Sequence, residues 1–126
     1  MVEFALVLPV LLIVLLAILK FGLLFENYLT LTDAVRSGAR TLAIGRGTTN
    51  ACTPATAQVK ASAGSLNQSS LVVNAPTFSS VADTCTTLVS GDAATISATY
   101  PCNLSIMGVN FAPNCSLSAS ATERVE

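Results

Sequence analysis

The sequence predicts an α+β protein, in which one long apolar N-terminal helix carries a small disulfide-bonded antiparallel sheet. Three observations lead there. Residues 4–19 hold no charge, and Lys20 is the only charged residue between Glu3 and Glu26. Short segments with strand chemistry follow beyond residue 70, bounded by turn residues. Cys52, Cys85, Cys102 and Cys115 form an even set that lies wholly beyond the apolar stretch.

The first element is a rod over residues 1–46. At about 1.5 Å per residue, the stretch from Phe4 to Phe25 reaches roughly 33 Å, enough to cross a hydrocarbon core of about 30 Å. Beyond Phe25, Tyr28, Leu31, Val35, Ala39 and Leu42 recur at helical spacing, with Glu26, Asp33, Arg36 and Arg40 on other faces. The helix therefore continues out of the membrane as an amphipathic one, with an Asp33–Arg36 pair expected at i,i+3. Gly45 and Gly47 supply the stop. Pro9 removes one hydrogen bond and leaves the carbonyl of Ala5 without its partner, which predicts a kink. Gly22 is a second weak point. Both are either tolerated by the surroundings or mark where neighbouring helices interlock. A cleaved secretory signal is a poor match, because the apolar run is too long and lacks a basic flank.

Residues 47–126 read as a small extracellular α+β domain packed on the outer half of the rod. A linker with Pro54 leads into a short helix over 55–66, with Val59 and Leu66 inward. Strands are expected at 71–78, 85–90, 94–100 and 115–125, and Ser90-Gly91-Asp92 is the turn between the second and third. Ile96, Ala98 and Tyr100 alternate with Ser97 and Thr99, as do Leu117, Ala119 and Ala121 with Ser118 and Ser120. Each of these strands has one buried and one wet face.

Four cysteines allow three pairings. Cys102–Cys115 would close a short loop around Pro113, and Cys52–Cys85 would tie the end of the rod to the outer domain; this combination is the favoured one, in an oxidising compartment. A zinc site lacks both close cysteine pairs and histidine. No cofactor is expected. The net charge is −1, with Arg36, Arg40, Arg46, Lys60 and Arg124 scattered, so nucleic acid finds no basic footprint. Histidine is absent, no base stands beside the serines and threonines, and Asp83 and Asp92 read as turn residues; catalysis has no support. Phe21, Phe25 and Tyr28 share one helical face and read as packing groups. Asn67, Asn103 and Asn114 head three sequons and are candidate glycosylation positions.

Glu3 is the anomaly in the rod. A carboxylate deep in lipid costs about 2.5–3.5 kcal/mol on insertion scales, so an acid there calls for a cation that meets it. The ordered motifs VEFALVLPVLL, KFG at 20–22, LTDAVRSGAR at 31–40, GDAATISATYP and SLSASATERVE resemble the TadE family of pilin-like proteins, from tight-adherence secretion systems within the type IV pilin superfamily. That resemblance runs nearly end to end and is weakest over residues 48–88. It implies cleavage by a prepilin peptidase after a glycine, a long N-terminal helix, and a glutamate at the fifth mature position, onto which Glu3 maps. Here the glutamate is third and no glycine precedes it. Lys20 stands where the family usually carries an acid.

Two functions follow as expectations. One is a structural subunit that polymerises through its N-terminal helix into an extracellular filament, with copies of itself or other pilins as partners. The other is a minor pseudopilin that stays at the inner membrane and primes assembly or secretion. Both place the chain in the inner membrane first, in the hands of the peptidase and the pilus assembly machinery. Glu3, Pro9, Lys20 and Gly22 are the expected assembly residues. Lys20 has no acid at i±3 or i±4 on its own helix, so it either snorkels to the outer interface or meets an oxygen of a neighbour, with Glu26 of another copy nearest in height.

Overall fold

The computed structural model describes residues 2–81 and 83–126. Helix α1 spans Val2–Ala43, 42 residues, and runs through Pro9 without interruption; at 1.5 Å per residue it is about 63 Å long. Its end comes slightly before the expected glycine stop. Ile44 N–H still donates to Arg40 O, and the turn closes at Gly47, whose φ of +82° suits a residue without a Cβ. Helix α2, Cys52–Ser62, begins earlier than its apolar spacing suggested. Asn50 Oδ1 accepts from the amides of Cys52 and Thr53 at 3.1 and 3.3 Å, and Pro54 sits in the first turn, where its missing donor costs nothing.

The main sheet is built around β3 (Ala93–Pro101). Along one edge it pairs antiparallel with β6 (Ser116–Arg124), from Ala93 opposite Arg124 to Pro101 opposite Ser116. Along the other edge lie two short strands, β1 (Val72–Val73) and β2 (Thr77–Phe78), in register with Thr99–Ala98 and Thr95–Ala94. The segment expected as one strand over 71–78 is therefore broken at Asn74-Ala75-Pro76. Proline has no N–H for the ladder, and Asn74 bridges the gap with bonds to Ser97 from both backbone and side chain.

The strand expected at 85–90 does not form. Both edges of β3 are already taken, by β6 and by β1 with β2, so the segment cannot pair with β3 across the expected turn. It becomes a loop with one isolated bridge, Thr84 to Thr87, and the hydroxyls of Thr84, Thr86 and Thr87 hydrogen-bond among themselves. Gly91 and Asp92 bond to Val125 instead, which pins the C-terminal segment beside this loop. A hairpin absent from the sequence reading, β4 (Ser105–Ile106) with β5 (Val109–Asn110), stands apart from the main sheet.

The core lies where the distal third of α1 meets α2 and the sheet. Leu31, Val35, Ala39 and Leu42 of α1 are fully buried against Ala55 and Val59 of α2 and Ala94, Ile96 and Ala98 of β3. Disulfides join Cys52 to Cys85 and Cys102 to Cys115. With separations of 33 and 13 residues, loop-closure entropy gives them about 4 and about 3 kcal/mol respectively. The first fixes the start of α2 to the strandless loop, where Ala51 N–H also donates to Cys85 O at 2.8 Å. The second closes the neck of the hairpin.

Candidate assembly surface

None of the core reaches the first thirty residues. From Phe4 to Leu15 every large apolar side chain is exposed, between 46% for Leu12 and 78% for Phe4. Each such side chain gains about 1.5–3 kcal/mol when it leaves water, so this surface needs lipid or other helices around it. The helix that carries it is long and apolar enough to cross a membrane.

The residues singled out in the rod are not brought together within one chain. Glu3 lies exposed in the first turn, Pro9 two turns on, and neither has a side-chain partner among the described residues. Gly22 has nothing within 4 Å of where a Cβ would stand, so no contact inside the molecule requires a glycine there. Lys20 is different. It lines a groove of about 210 Å³ with Leu23, Leu24 and Asn27 of α1 and with Tyr100–Asn103 from the end of β3. The neck of the hairpin thus places amide and carbonyl groups of the same chain at the height of Lys20.

Higher on the rod, a polar groove of about 490 Å³ separates α1 from β6. Arg36, Ser37 and Arg40 face Ser120, Thr122 and Glu123 across it. Arg36, expected to pair with Asp33, lines this groove. The two helices meet at Gly38, where a Cβ would lie 2.2 Å from Val59 Cγ2 and 3.1 Å from the Ala55 carbonyl oxygen. The sequence shows Gly38 only as one glycine in a good helix, and its role as the crossing point depends on where α2 folds back.

Asp83, read as a turn residue, does close a turn, its N–H donating to Ser80 O at 3.2 Å, and is buried as well. It is 6% exposed, and neither carboxyl oxygen has a hydrogen-bond partner of regular geometry. Burial pushes its pKa above the ordinary carboxylate value, and the Asp92 carboxylate beside it pushes in the same direction; the Val89 amide opposes weakly. A carboxyl whose folded pKa is raised stabilises the fold below its unfolded pKa, and that contribution is lost as pH rises through the folded value. Asp83→Asn is therefore expected to melt higher than wild type at neutral pH, with the gap closing in mild acid. Thermal melts of both proteins across that range check it; parallel curves would show that Asp83 does not titrate with folding.

Of the three sequon asparagines, Asn67 and Asn103 use their side-chain oxygens to accept from the amides of Ser69 and Ser105, and Asn114 is exposed at the neck of the hairpin. Among the described residues, no group of three or more His, Cys, Asp or Glu side chains is placed to hold a metal ion.

What the molecule offers is thus an apolar rod with an acid in its first turn, a lysine near its outer boundary, and a cross-linked sheet beyond. The family model for TadE-like proteins matches residues 1–40. The match covers α1 almost to its end and stops before α2. The TadE-like resemblance is therefore carried by the rod, while the motifs read at GDAATISATYP and SLSASATERVE lie outside the match, on β3 and β6. No curated protein and no solved structure matches the chain. The TadE-like segment and the apolar α1 fit a pilin-like subunit with a candidate membrane anchor.

Proposed function

We propose that this chain is a structural pilin-like subunit that polymerises through α1 into an extracellular filament of the tight-adherence type. The observation that carries the reading is the division of α1 into a buried distal third and an exposed apolar remainder headed by Glu3. A lone anchor needs only the apolar length. An acid at the inner end is accounted for by a cation on a neighbouring copy, for which the terminal amine of a mature chain is the natural candidate. On this reading the protein resides in the inner membrane first, is processed by a prepilin peptidase and moves through the pilus assembly machinery to the cell surface. Residues 1–46 serve as the membrane and then filament-core helix, and residues 47–126 as the outer domain. No step calls for catalysis. In the second reading, a minor pseudopilin, the same rod primes a filament made mainly of other pilins. Shearing cells separates the two. Abundant sheared protein, seen as filaments by negative stain, supports the subunit; retention in the membrane with only traces outside supports the primer.

Lys20 gives an independent test. In a membrane its ammonium reaches the outer interface, whereas among packed helices it needs an oxygen, from its own hairpin neck or from a neighbour's Glu26. Lys20→Met is expected to leave membrane insertion intact and to lower the melting temperature of the assembled polymer. Equal filament yield and stability would reduce Lys20 to an interface anchor.

A further inference from the structure

The hairpin closed by Cys102–Cys115 hangs beside the apolar rod, at a height the outer domain does not otherwise reach. Ile13, Ala17 and Phe21 of α1 and Leu104, Ile106 and Phe111 of the hairpin line one wholly apolar groove of about 420 Å³. Ile13 lies seven residues before Lys20, so the hairpin extends about 10 Å below the level of the lysine. That is the depth at which interfacial segments bury their apolar faces, about 5–10 Å into the headgroup and acyl boundary. We propose that, before any assembly, this hairpin enters the outer-facing leaflet beside α1 as a second membrane contact, its partner being lipid acyl chains. The proposal rests on the reading of α1 as a membrane-spanning helix.

Three independent features support it. The first is continuity of environment: the hairpin is held at the same height as Ile13–Phe21, and whatever surrounds those side chains must also surround it. The second is chemistry. No Asp, Glu, Lys or Arg occurs between Asp92 and Glu123, and three apolar residues of the hairpin, Met107, Val109 and Phe111, are 74%, 59% and 69% exposed. A patch this apolar is out of place in water. Met107 sharpens the point. It occupies the left-handed region at φ +50°, next to Gly108 at +85°, in a two-residue turn whose first position favours asparagine, aspartate or glycine. An exposed methionine held in an unfavourable backbone conformation is accounted for if its side chain leaves water.

The third feature is how the backbone is satisfied. In lipid an unpaired amide is costly, and open loops survive only where their polar groups are met internally. Phe111 N–H donates to Leu104 O at 3.1 Å and Cys102 N–H to Cys115 O at 3.1 Å. Asn103 and Asn110 accept with their side chains from the amides of Ser105 and Ala112, each at 3.1 Å. Pro101 and Pro113 bring no N–H at all. The side-chain oxygens of Asn103 and Asn110 are thus turned to the hairpin's own backbone.

The chain has no tryptophan, so a single introduced one reports its surroundings. Full-length Phe111→Trp, Phe21→Trp and Val89→Trp would each be reconstituted in phosphatidylcholine vesicles with and without bromine on the acyl chains. The proposal expects Phe111→Trp to lose at least half the fraction of emission that Phe21→Trp loses, and Val89→Trp, in the outer loop, to lose almost none. Adding Met107→Asn to Phe111→Trp should weaken the bromine quenching while leaving the melting temperature equal or higher. Quenching of Phe111→Trp no stronger than that of Val89→Trp overturns the proposal. If that absence of quenching comes with an emission that turns blue as protein density in the vesicles rises, a second copy covers the hairpin rather than lipid. An unquenched Phe21→Trp removes the membrane-spanning reading of α1 and the hairpin proposal with it, whereas quenched Phe21→Trp beside unquenched Phe111→Trp removes the hairpin proposal alone.

Discussion

Gly38→Leu is expected to abolish the packing of α2 on α1 and to lower stability by 3 kcal/mol or more, on the order of the cost of forcing several methylenes into a packed core. The reason is the closeness of the crossing. Even a methyl at Gly38 meets Val59 Cγ2 at 2.2 Å and the Ala55 carbonyl oxygen at 3.1 Å, with Ile96 Cδ1 at 3.6 Å behind them. Valine is stiff at χ1 and cannot swing clear, and the carbonyl belongs to the α2 backbone. Gly38→Ala also gains about 1 kcal/mol of helix propensity, so a net loss of about 1–2 kcal/mol is expected for it. The control is Gly22→Ala, where no atom lies within 4 Å and the same propensity gain appears unopposed. Urea titrations of the three variants, with both disulfides intact, give the order Gly22→Ala, wild type, Gly38→Ala, Gly38→Leu from most to least stable. A Gly38→Ala protein as stable as wild type would contradict the crossing geometry. Should Gly22→Ala fold well yet fail to assemble, its glycine is required by a neighbouring copy and not by its own fold.

Glu3→Gln is expected to cut filament yield at least about 100-fold while leaving the monomer's fold and melting unchanged. Removing one partner of a buried ion pair costs about 3–5 kcal/mol, because the other charge remains buried and alone, and each 1.4 kcal/mol is a factor of ten in the equilibrium. Within one chain Glu3 touches nothing that its loss would disturb, being exposed in the first turn of α1, far from the core at Leu31–Leu42. Assembly and folding therefore separate cleanly. Glutamine keeps shape and hydrogen bonding, and a wild-type yield of sheared filaments from this variant would show that charge pairing is not why the acid is there.

How far the sequence speaks depends on whether a residue's neighbours are local. The rod was legible because helical periodicity, bilayer-length apolarity and a glycine stop are all set within a few turns of one segment. The long strands β3 and β6 were legible for the same reason, since alternation over nine residues states which face is wet. The segment at 85–90 has the composition of a strand and is none: the hairpin expected across Ser90-Gly91-Asp92 needs an edge of β3, and β6 on one side and β1 with β2 on the other hold both. Asp83 looks like any turn aspartate in the chain; its burial comes from the loop being drawn inward by Cys85 and held beside Asp92. The hairpin at 105–110 is too short to show a period, and Met-Gly is a weak turn signal. The sequence by itself determined the rod, its acid and lysine, and the strong central strand pair, all encoded by residues close along the chain. Only the tertiary structure decided that Gly38 is a crossing point, that Asp83 is buried, and that an apolar hairpin hangs at the height of the rod's outer apolar turns, because each of these depends on segments far apart in sequence arriving at one place.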